Sequence, residues 1–468
     1  MPDAGIAQGT ARGRWVLAAA VLGSGMAMLD GTVVNIALRN VGEDLGATVA
    51  QLQWVVNAYL LALASLILVG GSLGDRLGRR RVFMVGVTWF AVASAVCGVA
   101  QTSGQLIAAR LLQGVGAALL TPGSLAMIQG AFRPSDRGKV VAQWAGLGGI
   151  AAAVGPLLGG WIVDNASWRW IFLINVPVAV AVLLVAARHV PESRDLQAAR
   201  SFDVLGATLG VLGLGGATYA LIENGSGRTA YVVTAAVVGV AGLVLFVVFE
   251  RRHPDALVPI HLFASRTFSV ANVLTLLVYG ALGSMLFFLV LQLQVVSGWT
   301  PLGAGLATIP LTLVMLLLSS RSGMLAARIG PRLPLSAGPV LCGVGTLLLL
   351  GIDADTGYLT GVLPGVLVFA CGLVLLVAPL TSSVLDAAPD RYAGIASGIN
   401  NAVARTGSLL AVSALPAIVG IGGADYQEPA VFGAGYMQAQ LICAMLLFAG
   451  GAVAFVGLPR RPPAPADD

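Results

Sequence analysis

The chain is expected to fold as an all-α polytopic membrane protein with fourteen spanning helices. Three observations carry that expectation. Hydrophobic residues make up 57% of the 468 positions and charged residues only 10%, with a mean hydropathy of +0.89, which excludes an ordinary soluble domain. Apolar runs long enough to cross the hydrocarbon layer as helices recur along the whole chain. The Lys and Arg residues gather in short clusters between alternate runs, the asymmetry that orients membrane proteins.

The first run begins at Trp15 and reaches residue 37. Residues 1–14 carry Arg12 and Arg14 but no cleavage-site pattern, so this run is expected to stay as a first helix rather than leave as a signal peptide. Further runs cover 51–72, 82–101, 104–129, 140–163, 168–187, 203–222, 229–249, 268–295, 301–321, 334–352, 360–384, 393–420 and 434–458. Gly and Pro within them do not argue against helix, because membrane helices tolerate both.

An even count puts both termini on one side. With the N-terminus inside, the cytoplasmic segments hold Arg12 and Arg14; Arg76, Arg79, Arg80 and Arg81; Arg133, Arg137 and Lys139; Arg188, Arg194 and Arg200; Arg251, Arg252 and Arg266; Arg321, Arg328 and Arg332; Arg391; and Arg460 and Arg461. The outer loops keep only Arg39, Arg169 and Arg228, and Arg110 and Arg405 fall inside helices. Both termini are therefore expected to be cytoplasmic, in a multi-pass protein of the cytoplasmic membrane. Richness in Ala, Gly and Arg suggests a bacterium with GC-rich DNA.

A sequence pI near 9.3 does not point to nucleic acid, because the basic residues are spread over these clusters rather than one polar face. Cys97, Cys342, Cys371 and Cys443 lie in apolar runs without CxxC spacing, and read as buried thiols rather than metal ligands or disulfides. His189, His253 and His261 are expected in loops. Glycine runs such as Gly146-Leu147-Gly148-Gly149 lie inside a membrane helix and follow no strand, so they are not phosphate loops.

The loops contain a repeat. Gly71-Ser72-Leu73-Gly74-Asp75-Arg76-Leu77-Gly78-Arg79-Arg80 follows the second run, and Gly323-Met324-Leu325-Ala326-Ala327-Arg328-Ile329-Gly330-Pro331-Arg332 follows the tenth. Pro134-Ser135-Asp136-Arg137 is echoed by Pro389-Asp390-Arg391 at a similar spacing. Two homologous six-helix halves are implied, with the seventh and eighth helices inserted between them. The expected organisation is a tail 1–14, a bundle 15–200, an inserted pair 201–255, a second bundle 256–458 and a tail 459–468.

The stretch Met26-Ala27-Met28-Leu29-Asp30-Gly31-Thr32-Val33-Val34-Asn35 sets one carboxylate deep in an apolar run. At 1.5 Å per residue, Asp30 lies roughly 22 Å from the start of that run. A charge at such a depth costs about 2.5–3.5 kcal/mol, so it faces a bundle interior, as a helix–helix hydrogen bond or as part of an ion or substrate path. Arg110, on the returning fourth helix, has a matching depth: both residues lie about six or seven positions, or roughly 10 Å, from the outer ends of their runs. A guanidinium beside Asp30 would favour the charged carboxylate, and making or breaking the pair would switch its proton affinity. A static buried ion pair is the other reading. Asp203 and Glu223 lie only at the ends of the inserted seventh helix.

The motifs resemble a known family. Gly71-x-Leu73-Gly74-Asp75-Arg76-x-Gly78-Arg79-Arg80 is similar to the cytoplasmic signature of the major facilitator superfamily, and Arg110-x-x-Gln113-Gly114-x-Gly116-Ala117 to its second motif. Gly148 with Gly155-Pro156-x-x-Gly159-Gly160 resembles the antiporter motif of its fifth helix, and Leu29-Asp30-x-Thr32-Val33-Val34-Asn35-x-Ala37-Leu38 the first-helix motif of its fourteen-helix drug:proton antiporters. The resemblance implies the major facilitator fold, proton-driven export and no cofactor beyond the proton gradient. It also implies that Asp75 latches the outward-facing state against the second half, one-sidedly, since the repeat has Ala327 there. For Gly155, Pro156, Gly159 and Gly160 it implies tight packing at a rocking interface.

The substrate cavity is expected to be lined by Asn35, Gln53, Trp54, Asn57, Tyr59, Gln113, Gln292, Gln294, Asn400, Asn401 and Arg405, each of which also suits an interhelical hydrogen bond. Such a set describes an apolar cavity with scattered amides, suited to amphipathic molecules. In the family, extra acids on later helices accompany divalent cations. None occurs on the tenth helix, so neutral or monovalent lipophilic substrates are expected. The reading is a monomeric exporter of drugs, antibiotics or dyes, with Asp30 carrying the proton beside Arg110. The alternatives are an exporter of one metabolite or siderophore, or a membrane-embedded enzyme or sensor, for which no nucleophile–base pair, metal cluster or soluble domain is present.

Overall fold

A computed structural model describes residues 5–194, 203–253, 256–389 and 392–459. Arg200, Asp390, Arg391, Arg460 and Arg461 lie outside the described residues. So do the outermost parts of both tails and the junction into the inserted pair.

The first half consists of α1 (Ala11–Leu45), α2 (Val49–Leu77), α3 (Arg79–Gly98), α4 (Ser103–Ala131), α5 (Pro134–Asn165) and α6 (Trp170–His189). Then come α7 (Val204–Ile222) and α8 (Thr229–Glu250). The second half consists of α9 (Arg266–Val295), α10 (Pro301–Ile329), α11 (Arg332–Leu348), α12 (Tyr358–Asp386), α13 (Ala393–Ile418) and α14 (Pro429–Gly457). Among the described residues, 12 of these helices are long and apolar enough to cross a membrane by themselves. The others are α11, which is short, and α13, whose Asn400, Asn401 and Arg405 dilute its apolar surface.

Local chemistry sets the helix starts. Thr10, Thr48, Thr102, Ser265 and Thr300 each precede a helix, and their hydroxyls accept the backbone N–H three residues on. The repeat is visible in the backbone as well: Gly78 (φ 111°) and Gly330 (φ 85°) make the same tight turn between consecutive helices, a conformation open to glycine. One boundary departs from expectation. α1 continues to Leu45 instead of ending near residue 37, because the extension is amphipathic and carries an Arg39–Glu43 pair at 2.8 Å, and it stops at the left-handed Gly46. Asp30 is therefore deeper below the helix end than the run length suggested.

The two halves use the same neighbours. In the first, α1 packs on α4, α5 and α6, and α4 on α2 and α3; in the second, α9 packs on α12, α13 and α14, and α12 on α10 and α11. The seam obeys the same symmetry, with α5 against α10 and α2 against α13. Of the inserted pair, α7 touches α2 and α13, one helix from each half, while α8 packs on α7. Beside that contact an apolar groove of about 710 Å³ is walled by Leu61 and Leu66 of α2, Leu111 of α4 and Val211 and Leu212 of α7. Apolar walls suit a bilayer, where lipid tails take the place of a packed core. Cys97, Cys342 and Cys443 are buried, but Cys371 is exposed on α12, contrary to the reading of all four as buried, because apolar runs also face lipid.

At the face away from the chain termini the seam is shut. Gln294 Nε2 donates to Ile36 O at 2.9 Å, Val49 N to Gly423 O at 2.8 Å, and the Tyr426 hydroxyl to Ala47 O at 3.0 Å. The Arg39 guanidinium donates to Gln294 O. Asp164, at the end of α5, accepts the N–H of Leu302 at 3.1 Å and so places its charge on the N-terminus of α10. Toward the terminal face, α10 has no buried residue from 309 to 321, so the α5–α10 seam is shut at one face and uncovered toward the other. Asp164→Asn is expected to loosen the shut end by about 0.3–1 kcal/mol, up to a roughly fivefold shift toward its opening. Spin-label distances between the outer ends of α5 and α10 test this, and an unchanged distribution would assign Asp164 no latching role.

Candidate functional site

Asp30 and Arg110 meet inside the first half. Each is 1% exposed, and the guanidinium Nη1 donates to Asp30 Oδ2. Gln113, one turn along α4 from Arg110, donates to Asp30 Oδ1 at 2.8 Å, and Asn175 of α6 approaches the same oxygen at 3.5 Å. Ser94 of α3 closes the network. Its hydroxyl accepts from Gln113 at 3.1 Å and from Asn175 at 3.0 Å, and donates to Phe172 O at 2.8 Å.

Arg110 does not depend on Asp30 alone. It donates to Val55 O at 3.0 Å and to Gln113 Oε1 at 2.6 Å, and its guanidinium lies 4.4 Å from the centre of the Tyr59 ring. Arginine stays charged at any accessible pH, so a proton arriving here must go to the carboxylate, and Arg110 would still be held by Val55, Gln113 and Tyr59. Glycines at 114 and 116 permit this arrangement, since a Cβ would stand 2.5 Å from Tyr59 O at the first and 2.6 Å from Phe90 N at the second. Arg110→Ala would leave Asp30 buried and unpaired, at a cost of about 3–5 kcal/mol. A clear drop in the thermal midpoint in detergent is expected, partly restored by adding Asp30→Asn. A midpoint equal to the wild type's would deny the pair structural weight.

The other polar residues separate into groups. Gln113 belongs to the Asp30 network rather than to a cavity wall, and Tyr59 lies buried under Arg110, its hydroxyl donating to Ala27 O at 3.2 Å. Gln53 donates to Val412 O and Ser413 O at 2.7 and 3.0 Å, and Asn57 to the Ser413 hydroxyl at 3.0 Å, so these amides, with Gln294, tie the halves together. Trp54 donates to Glu223 at 3.1 Å and anchors α7. Gln292 donates to Ile352 O within the second half, and Asn400 to Thr275 and Asn272 at 2.7 and 3.3 Å. Asn35 is half-buried with an unpartnered Oδ1, Asn401 is exposed, and Arg405 is half-buried. Asn175 and Ser94 were missed in the sequence. An amide in the sixth run was a weak signal for the first, and a serine in a membrane helix is none.

The chain matches the Major Facilitator Superfamily over residues 20–203 and 185–412. It belongs to that superfamily. It is 34% identical over 415 residues to the "Tetracenomycin C resistance and export protein" of Streptomyces glaucescens, covering 86% of this chain and 76% of the relative. With the "Puromycin resistance protein pur8" of Streptomyces alboniger it shares 37% over 409 residues, covering 86% and 80%. With the "Methylenomycin A resistance protein" of Bacillus subtilis it shares 33% over 447 residues, covering 93% and 94%. Among solved structures, a POT family transporter in complex with 5-aminolevulinic acid superposes with a TM-score of 0.72 at 16% identity, covering 97% and 98% of the two chains.

In this major facilitator protein Asp75, Arg79, Arg80 and Arg81 of the signature loop have partners within their own half. Asp75 pairs with Arg79 at 2.8 Å, and the Arg79 backbone donates to Ser193 O at 3.0 Å. Glu192 accepts the backbone N–H of Arg80 at 3.1 Å and lies 3.9 and 3.7 Å from the Arg80 and Arg81 guanidinium groups. Among the described residues Asp75 makes no ion pair with the second half, and its partner is Arg79 at the start of α3. Gly71, Gly74 and Arg76 lie on the last turns of α2, and Gly78 makes the turn into α3.

The antiporter-type glycines lie between two helices. A Cβ at Gly159 would stand 2.8 Å from Val33 of α1, and Gly155 lies against Thr32. A Cβ at Gly160 would stand 2.5 Å from Leu302 Cα, and Pro156 O lies against Gly305, so α5 meets the backbone of α10 directly at the shut end.

Proposed function

We propose that this chain is a proton-coupled exporter of amphipathic organic compounds. It acts as a monomer in the cytoplasmic membrane with both termini in the cytoplasm, driven by the proton gradient without a cofactor. The observation that supports it most is the carboxylate Asp30, enclosed inside the first half and held by one permanent cation and two amides in a two-half carrier. With the termini inside, the seam is closed to the exterior and the uncovered side of α5 and α10 faces the cytoplasm.

Substrate enters from the cytoplasm and seats at the seam, without touching Asp30. Tyr59 carries Arg110 on its ring and lies within electrostatic reach of Arg405 of the other half, so occupancy of the seam acts on the ion pair through it. Proton loss from Asp30 and rocking of the halves then expose the site outward, and reprotonation from outside releases the substrate. The relatives named for single antibiotics support a second reading, an exporter of one compound and its close analogues. Flux of a panel of lipophilic solutes, ethidium among them, in proteoliposomes with an imposed pH gradient tests both. Movement of many solutes supports the broad reading and movement of one the narrow; no gradient-driven flux of any aromatic or polyketide-like antibiotic would contradict both.

A further inference from the structure

Arg405 lies near the midpoint of α13. Gly398 and Val412, seven residues to either side and so on the same helix face, both meet α2: Gly398 lies against Leu68, and Val412 O accepts from Gln53 at 2.7 Å. Arg405 therefore sits on the face of α13 turned to the other half, within electrostatic reach of Tyr59 on α2 and Tyr279 on α9.

Its charge has no counterpart there. Nε is buried without a hydrogen-bond partner, and no carboxylate lies within ion-pair distance among the described residues. The described acids of the second half, Asp353, Asp355, Asp386, Asp425 and Glu428, all sit in loops or at helix ends. Asp30 is already held by Arg110. A guanidinium cannot shed its proton to escape burial, so an unpaired one inside a membrane protein calls for an anion from elsewhere.

We infer that Arg405 is the anchor for the anionic group of the transported molecule, so that the preferred substrates are amphipathic acids, carrying a carboxylate or an ionised phenol, rather than the lipophilic cations that typical drug-export assays use. This rests on the export reading and narrows it. The planar fork of donors suits a carboxylate in two-pronged contact, and the ring-bearing remainder of the molecule lies along the apolar seam.

The test compares binding of anthracene-9-carboxylate, its methyl ester and ethidium to the purified protein by fluorescence, in wild type, Arg405→Gln and Arg405→Lys. The wild type is expected to prefer the acid over the ester by on the order of tenfold and over ethidium by more. Arg405→Gln should bring acid and ester within about twofold, and Arg405→Lys should keep part of the preference, as a point charge without the fork. Unliganded Arg405→Gln should melt no lower than the wild type, since no carboxylate among the described residues pairs with the charge. An acid–ester preference that survives Arg405→Gln, a wild type that binds neither or does not discriminate, or a clearly lowered midpoint in Arg405→Gln would overturn the assignment. Acid-selective binding lost in Arg405→Gln, without any proton-driven flux, would uphold the anchor while removing the exporter reading.

Discussion

Replacing Asp30 by asparagine is expected to leave a folded carrier that still exchanges substrate across the membrane but no longer responds to a proton gradient. Asparagine keeps the size of the side chain, and its carbonyl can still accept from Arg110 or Gln113. It cannot carry the charge that alternates with a proton. Gradient-driven accumulation should fall to the level of empty liposomes, a loss of at least about tenfold, while substrate counterflow without a gradient stays within a few-fold of wild type. Loss of both activities together would mean that Asp30 is needed for the fold or the rocking itself. Survival of both would move the proton to another residue.

Gly160→Val should have an effect of similar size on a different step. The new side chain would meet the backbone of α10 at Leu302, which cannot rotate aside as a side chain would. Overpacking of that kind costs about 1–3 kcal/mol, and only in the arrangement where the α5–α10 end is shut, so the equilibrium should move by about fivefold to somewhat over a hundredfold toward the outward-open form. A single cysteine introduced on α10 near residue 302 should become more reactive to an impermeant thiol reagent from outside, with transport lost and expression retained. Normal closure in the variant would show that α5 and α10 do not form the gate.

Much of this was legible in the sequence because membranes impose local rules. Helix number and order follow from run length and charge, and the 78/330 turn glycines preserve the repeat. Asp30 and Arg110 were conspicuous because charge is so rare in apolar runs that two at one depth call for each other. Asn175 and Ser94 were not, since polar but uncharged residues are common in membrane helices and only packing shows which share a partner. The same limit applied to Gln53, Asn57 and Gln294, expected to line a cavity and found bridging the halves through backbone carbonyls or a hydroxyl. Asp75 shows how a local partner can be overlooked: Arg79 is four residues on, and the two pair across the Gly78 turn.

The central claim is that Asp30 carries the exchanged proton. It is tested most directly by the pH change of a weakly buffered solution when a binding substrate is added to purified protein, in wild type and in Asp30→Asn. Proton release by the wild type, and its absence in an Asp30→Asn protein that still binds, is the predicted result. Equal release by both proteins would contradict the claim.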